Sequence, residues 1–369
     1  MEHPSILMTI LGFGLLLGPL VTLHELGHYL VGRWCGVQAA AFSIGFGREM
    51  AGWTDKRGTR WKISILPLGG YVQFAGDMNP ASAGVDAIPL DIKERERWFH
   101  FKPLWQRFLI VLAGPLTNLL VAVAIFFAFN LSYGRIYAPP VIAGFAEQSV
   151  AQAAGLRIGD RIVAIDGHKI DSFDQIRGLI APYPGDVVPL QLDRGGQKLS
   201  VAITIASRTI RDEFGNESRV GMLGIAGGGL TRVRLGPVEA MATSVNQTVD
   251  VMGTMVTGIR QIITGKRSVR ELGGPVKIAK FSGERLALGW QEFVYFSAFI
   301  SINLAFINLL PIPALDGGHL AFYLVEAIRR KPLGARSQEW AFKTGMALVL
   351  ALMLFVTIND LVPASLFGH

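Results

Sequence analysis

Residues 24–28 read His-Glu-Leu-Gly-His, in the middle of the apolar run VTLHELGHYL (21–30). Histidines four apart share one helix face, so His24 and His28 can hold one metal ion with Glu25 beside it. The chemistry this serves is hydrolysis. Two imidazoles fix Zn²⁺, and the neighbouring carboxylate takes a proton from the attacking water. An ionisable side chain at membrane depth costs about 2.5–3.5 kcal/mol, so three in one run call for a function. A hydrolytic zinc site has three protein ligands and an open position. Asp316, in NLLPIPALDGGHL (308–320), is the candidate for the third. Two prolines and two glycines must interrupt a helix there. Broken backbone at membrane depth is tolerated where it is buried in protein or lines a cavity. The competing reading makes Asp316 a helix cap after a loop. His319 reads as a fourth ligand, a group bonded to a ligand, or a helix-end histidine satisfied by backbone. His3, His100, His168 and His369 have no partner pattern and read as surface residues.

The elements that must carry these groups are transmembrane helices. Half of the 369 residues are hydrophobic and only 17% are charged, too apolar a balance for an ordinary soluble protein. Four segments, roughly 5–32, 104–131, 292–312 and 341–366, are long enough to cross a hydrocarbon core as helices. The first is not expected to be a cleaved signal peptide, because no Lys or Arg precedes it and no small-residue cleavage site follows. At 1.5 Å per residue, His24 lies about 28 Å along the first span and Leu310 about 26 Å along the third. Both halves of the site thus reach one depth, near the cytoplasmic edge.

Net charge is +7, yet no nucleic-acid motif is present, and no nucleic-acid partner is expected. Topology accounts for the charge. No Lys or Arg occurs before Arg33 or after Lys343, while 33–102 carries ten and 329–343 carries five. The positive-inside rule puts those stretches in the cytoplasm and both chain ends outside. The single cysteine, Cys35, excludes a disulfide within the chain.

The expected organisation is a first transmembrane helix (1–34), a cytoplasmic membrane-associated β-region with an interfacial helix (35–103), and a second span (104–131). A small α/β domain (138–206) and a strand-plus-amphipathic-helix linker (207–290) follow outside. The third span (291–328) contains the unwound segment, and the fourth covers 341–366. SIGFG (43–47), WKISIL (61–66) and PLGGYVQFAG (67–76) read as short strands with glycine breaks. DIKERERWFHFKPLWQR (91–107) reads as the interfacial helix, and 235–264 as an amphipathic helix on the outer membrane surface. VPLQLDRGGQKLSVAITI (188–205) reads as a hairpin turning at RGGQ.

Taken together, HELGH, SIGFG, PLGGYV, AGPLTN (113–118), AGLRIGDRIVAIDG (154–167), GGPVKIA (273–279) and NLLPIPALDGG resemble the site-2 protease family of intramembrane zinc metalloproteases. Bacterial regulator-of-sigma-E-protease types are the most similar. The resemblance implies a polytopic α-helical membrane protein of four transmembrane helices with one inserted extracytoplasmic PDZ-like domain. It implies Zn²⁺ held by His24, His28 and Asp316, Glu25 as general base, and Asn308, with Asn303 of the same kind, near the reacting carbonyl. The best-known member carries two tandem PDZ domains, whereas this chain has room for one. GMLGI (221–225) resembles a PDZ carboxylate loop in a circularly permuted arrangement, or is a plain strand with glycine bends.

The expected partners are the lipid bilayer and a membrane-spanning protein substrate already trimmed by another protease, such as an anti-sigma factor or a remnant signal peptide. Gly45, Gly47, Gly70 and Tyr71 are expected to form an edge that pairs with the extended substrate, and the PDZ domain to contact substrate termini. The location implied is a bacterial inner membrane. Two other readings compete: a non-catalytic PDZ scaffold, and a zinc transporter. The intact Glu25 speaks against the first. The lack of polar residues running across the other spans speaks against the second.

Overall fold

The computed structural model describes residues 5–76, 95–211, 217–265, 273–331 and 334–361. The expected loop at 77–90, the start of the expected interfacial helix, His3 and His369 lie outside them. Two compact units share the chain: Met1–Phe126 with Gly274–Ile358, and Phe127–Gly273 with Asn359–His369.

The first unit begins with helix α1 (Ile6–Trp34), capped by Ser5 Oγ, which accepts from the Met8 N–H. A long antiparallel hairpin follows, β1 (Ala39–Thr54) and β2 (Arg60–Phe74). The separate short strands expected here are one continuous pair. Its glycines bend the strands instead of ending them. A side chain at Gly45 would meet the Leu66 carbonyl, and one at Gly70 would meet the Ser43 carbonyl, each at 2.6 Å. Register shifts run along β1 from Ala39 to Ala51, as bulges require. At the tip, Asp55 accepts from the N–H groups of Arg57 and Thr59 and from Trp61 Nε1.

Residues 96–103 are not the expected helix but a turn and a short 3₁₀ segment, Phe99–Phe101. Tertiary bonds override the helix there. The Phe99 N–H donates to Ala75, Arg97 accepts from Gln38, and the Phe99 ring stacks on Phe74. Phe99, with Trp98 against Gly76, therefore clamps the base of the hairpin, while Phe101 and Trp105 stay exposed.

Among the described residues, four helices are long and apolar enough to cross a membrane: α1, α2 (Leu104–Tyr133), α7 (Trp290–Leu309) and the last, α9 (Ala335–Leu361). Between α7 and α9 lies α8 (Asp316–Arg329), separated from α7 by the broken segment 310–315. Small residues bring the helices close. Side chains at Gly12 and Gly283 would run into the Ser282 and Thr9 backbones, so α1 crosses helix α6 (Pro275–Leu288) at near-contact. Gly27 would likewise collide with Ala113 and Thr117 of α2. Such crossings are how helices associate when lipid removes the hydrophobic drive. Leu16, Leu20, Phe293 and Ile300 fill the space between α1 and α7.

The second unit has its own core. Strands β5 (Arg161–Ile165), β6 (His168–Lys169), β7 (Val187–Arg194) and β8 (Gln197–Thr204) form a sheet in the order β6-β5-β7-β8. Along β7, Val188, Leu190 and Leu192 are buried while alternate residues face solvent, the period-two pattern of a half-covered sheet. The RGGQ turn forms, with Gly195 and Gly196 both at positive φ, as a two-residue hairpin turn demands. Helix α4 (Phe173–Ile180) buries Ile176 and Ile180 against this sheet. The core continues past residue 206. Helix α3 (Val150–Ala153) buries Ala151 in it. Strands β9 (Ala206–Arg211) and β10 (Glu217–Met222) pair with each other, and strand β11 (Ile225–Gly227) pairs with β4 (Ile142–Phe145), with Leu223 buried in the same cluster. Within GMLGI, the Gly221 N–H is already donated to Ala181. Strands β3 (Arg135–Tyr137) and β12 (Thr231–Val233) pair where the chain enters and leaves this body. Helix α5 (Pro237–Ile263) follows. It leaves Val238, Val249, Val256 and Ile263 exposed, while Ala240, Ser244 and Thr248 are buried.

Candidate metal centre

Helix α1 places His24 and His28 one turn apart, on the face that meets α2. Both are buried. Their Nε2 atoms face each other at 3.2 Å. The closeness of α2 depends on Gly114 in AGPLTN, where an added side chain would drive into both imidazole rings. Pro115 follows, and its missing N–H leaves the α2 ladder one bond short.

Asp316 arrives from the other end of the sequence. It is the first residue of α8, after the break at 310–315. Side chains at Gly317 and Gly318 would strike the carbonyls of Leu309, Leu310 and Ile312, so the break folds tightly over the first turn of α8. Ala314, two residues before the aspartate, has φ 94, a conformation that costs about 1–3 kcal/mol outside glycine. On α9, Gly345 leaves room for Pro313. The prolines and glycines of this segment thus aim one carboxylate. Asp316 Oδ2 lies 3.1 Å from His24 Nε2 and 3.5 Å from His28 Nε2.

The three ligand atoms lie within 4.8 Å of one another. His28 Nδ1 is 2.8 Å from the Ile110 carbonyl. A carbonyl only accepts, so neutral His28 carries its proton on Nδ1 and turns the Nε2 lone pair inward. Asp316 Oδ2 is buried and has no hydrogen-bond partner. An inward lone pair on His28 and an unpartnered carboxylate oxygen, with His24 Nε2 within reach of both, are what a divalent cation requires. Two imidazoles and a carboxylate are a donor set that suits zinc. The residues present fit the metal.

Glu25 stands beside this cluster, its Oε2 accepting from the Val72 N–H at 3.1 Å. The cluster opens on a cavity of about 440 Å³, bordered by α1, β1 at Phe46, β2, α2, α7 and α8. Asn308 and His319 line it; Asn303, which the sequence also put forward, does not. Of the expected edge residues, only Gly70 lines it, with Val72 and Phe74. Tyr71 does not line it but stacks on Phe46, which does, as does Gly69. Gly45 and Gly47 shape the hairpin without bordering the cavity.

Reasoning from the sequence missed Asn118 and Gly114. Asn118 lies 3.3 Å from His24 Nδ1 and is buried. Its signal was available, since it is an amide inside an apolar span. Gly114 left none, because only the crossing of two helices makes its missing side chain matter.

The chain matches Peptidase family M50 over residues 12–352. A protein of Agrobacterium fabrum named "Putative zinc metalloprotease" is 42% identical over 365 residues, covering 97% of this chain and 96% of the relative. A like-named protein of Mesorhizobium japonicum is 40% identical, covering 96% and 98%. Metalloprotease MmpA of Caulobacter vibrioides is 35% identical, covering 94% and 93%. A solved PDZ domain of an SdrC-like protein from Listeria monocytogenes is 23% identical, covers 26% of this chain and 90% of its own, and has a TM-score of 0.19. At that score the likeness decides nothing about the fold.

Proposed function

The chain belongs to peptidase family M50, the site-2 proteases, and from that premise we propose that it cuts peptide bonds within or beside transmembrane segments of single-span membrane proteins. It is an integral membrane zinc metalloendopeptidase. The observation that carries the finer reading is the cluster of His24, His28 and Asp316 beside Glu25, on a cavity framed by membrane-length helices and bordered by a strand.

Zinc held by His24, His28 and Asp316 would lower the pKa of water and polarise the peptide carbonyl. The protein groups do the rest. The Val72 N–H fixes one oxygen of Glu25, leaving Oε1 to take the proton from the attacking water and pass it to the leaving amine. Asn308 is positioned on the cavity wall to donate to the developing oxyanion. An extended substrate needs hydrogen-bond partners at membrane depth, and the β2 border at Gly70 offers backbone for strand addition.

The Lys and Arg distribution supports an inner-membrane protein with both ends and residues 138–206 outside and the metal centre near the cytoplasmic side. Cys35 should then react with thiol reagents from the cytoplasm, and a cysteine replacing Lys198, exposed on the β7–β8 hairpin, only from outside. Reversed labelling would overturn that topology. AGLRIGDRIVAIDG and the strand and helix order of the second unit support a PDZ-like body that contacts substrate ends. A substrate trimmed first by another protease, such as an anti-sigma factor or a remnant signal peptide, suits such a filter. The test of the activity compares cells carrying wild type and Glu25→Gln. Membrane-spanning peptides should accumulate in the variant alone, and identical peptide populations would refute the proposal.

A further inference from the structure

Both histidines of the cluster lean on α2, through different groups. His28 has the Ile110 carbonyl, an acceptor that cannot be reversed. His24 has the Asn118 amide, with Nδ2 at 3.3 Å from Nδ1. Asn118 is 1% exposed, and its buried Oδ1 has no hydrogen-bond partner. An amide has two ends of nearly equal shape, exchanged by a half-turn of the side chain.

The two orientations impose different tautomers on His24. With Nδ2 toward the ring, Nδ1 must accept, and the proton sits on Nε2. That Nε2–H would point into the cluster, where Asp316 Oδ2 has no donor bonded to it despite lying 3.1 Å away. Asn118 Oδ1 is then stranded as well. With Oδ1 toward the ring, it accepts Nδ1–H, and His24 turns its Nε2 lone pair inward as His28 does. Both rings and the carboxylate then present lone pairs to one point.

We propose that Asn118 is a positioning residue for the metal centre, with Oδ1 accepting from His24 Nδ1–H and holding the tautomer that binds the metal through Nε2. This rests on the zinc reading above. The amide is itself anchored. Ser301 Oγ, fully buried on α7, donates to the Asn118 backbone carbonyl at 2.7 Å. One residue thus joins α7 and α2 to the ligand on α1. An outer partner that orients a ligating histidine is typically worth 10–100-fold in metal affinity.

The test is the zinc dissociation constant of the purified full-length protein, measured by chelator competition. Asn118→Leu keeps the shape and removes the acceptor. It should weaken zinc binding about 10–100-fold. Asn118→Asp can only accept, and it should bind zinc at least as tightly as wild type. Wild-type affinity in Asn118→Leu, or affinity below wild type in Asn118→Asp, would overturn the proposal. Should the leucine variant fail to fold, the aspartate variant decides alone, because a donor role for Asn118 predicts the opposite sign. A wild-type protein that binds no zinc would refute the metal reading itself, an outcome distinct from either result.

Discussion

Asp160 and Asp316 lie one in each unit of the molecule, the first buried whole and the second with one oxygen, Oδ2, buried. Asp160 is satisfied by the fold. Arg194 grips it through two hydrogen bonds of 2.7 Å, from Nε to Oδ1 and from a terminal nitrogen to Oδ2, and the Arg157 N–H adds a third at 2.8 Å. Those donors, Arg194 first, hold its carboxyl below the usual carboxylate range. Asp316 has no such donors; its Oδ2 faces two imidazole nitrogens. A buried acid with its own arginine is architecture. An acid whose buried oxygen is aimed at two imidazole nitrogens is a site.

Four perturbations press on that contrast, the largest first. Glu25→Gln removes the proton acceptor and leaves every ligand in place. Cleavage of a membrane-embedded model substrate should fall by at least about 10²–10⁴-fold, while zinc stays near one per chain. Zinc loss as deep as in His24→Ala would remove Glu25 from the role of base.

Gly114→Ala adds one methyl group where both imidazoles lie. Overpacking of this kind costs about 1–3 kcal/mol, and here it falls on the ligands. Zinc content should drop more steeply than helical content, measured by metal analysis and circular dichroism on the same sample. A normal zinc load would show that α2 does not set the ligand geometry.

The third perturbation removes the sheet-bearing body of the other unit and leaves its helix α5 in place. Strands β3 and β12 pair at the body's entry and exit, so residues 139–229 can be replaced by a short Gly/Ser bridge. A trimmed substrate should still be cut, and an untrimmed one should become a substrate if the body excludes it. If the body captures chain ends instead, trimmed substrate is cut more slowly. A zinc-loaded deletion variant that cuts neither would tie this unit to catalysis.

Asp160→Asn is the smallest. Loss of a charge-assisted pair costs about 1.5–3 kcal/mol, read as a lower unfolding midpoint of this unit with zinc content unchanged. The sign with pH follows from the lowered pKa. The contribution of Asp160 is fully present above its unfolded value of about 3.9. It fades as pH falls through the lower folded value. The stability difference between wild type and variant should therefore shrink in acid. A difference that grows would reverse the assignment.

How much of this was legible beforehand depends on the range of the signal. HELGH is local, and a helix alone brings its histidines together. Asp316 was legible from its flanks, because prolines and glycines at membrane depth need a reason. The hairpin was misread in pieces, since its glycines bend long strands at bulges, and that needs the partner strand to be seen. The segment around Phe99 was misread as helix because its charge and aromatic content resemble one. Its bonds to Gln38 and Ala75 come from elsewhere in the chain. Tyr71 stands behind Phe46, which lines the cavity, and that order is set by packing across the hairpin.

The central claim is that His24, His28 and Asp316 together hold the zinc. The most direct measurement is metal analysis with X-ray absorption on purified wild type and Asp316→Asn. The wild type should carry one zinc in a nitrogen and oxygen environment that includes two imidazoles. In Asp316→Asn zinc should bind more weakly, and the carboxylate contribution should disappear. An unchanged zinc load with an unchanged absorption spectrum in the variant would contradict the account.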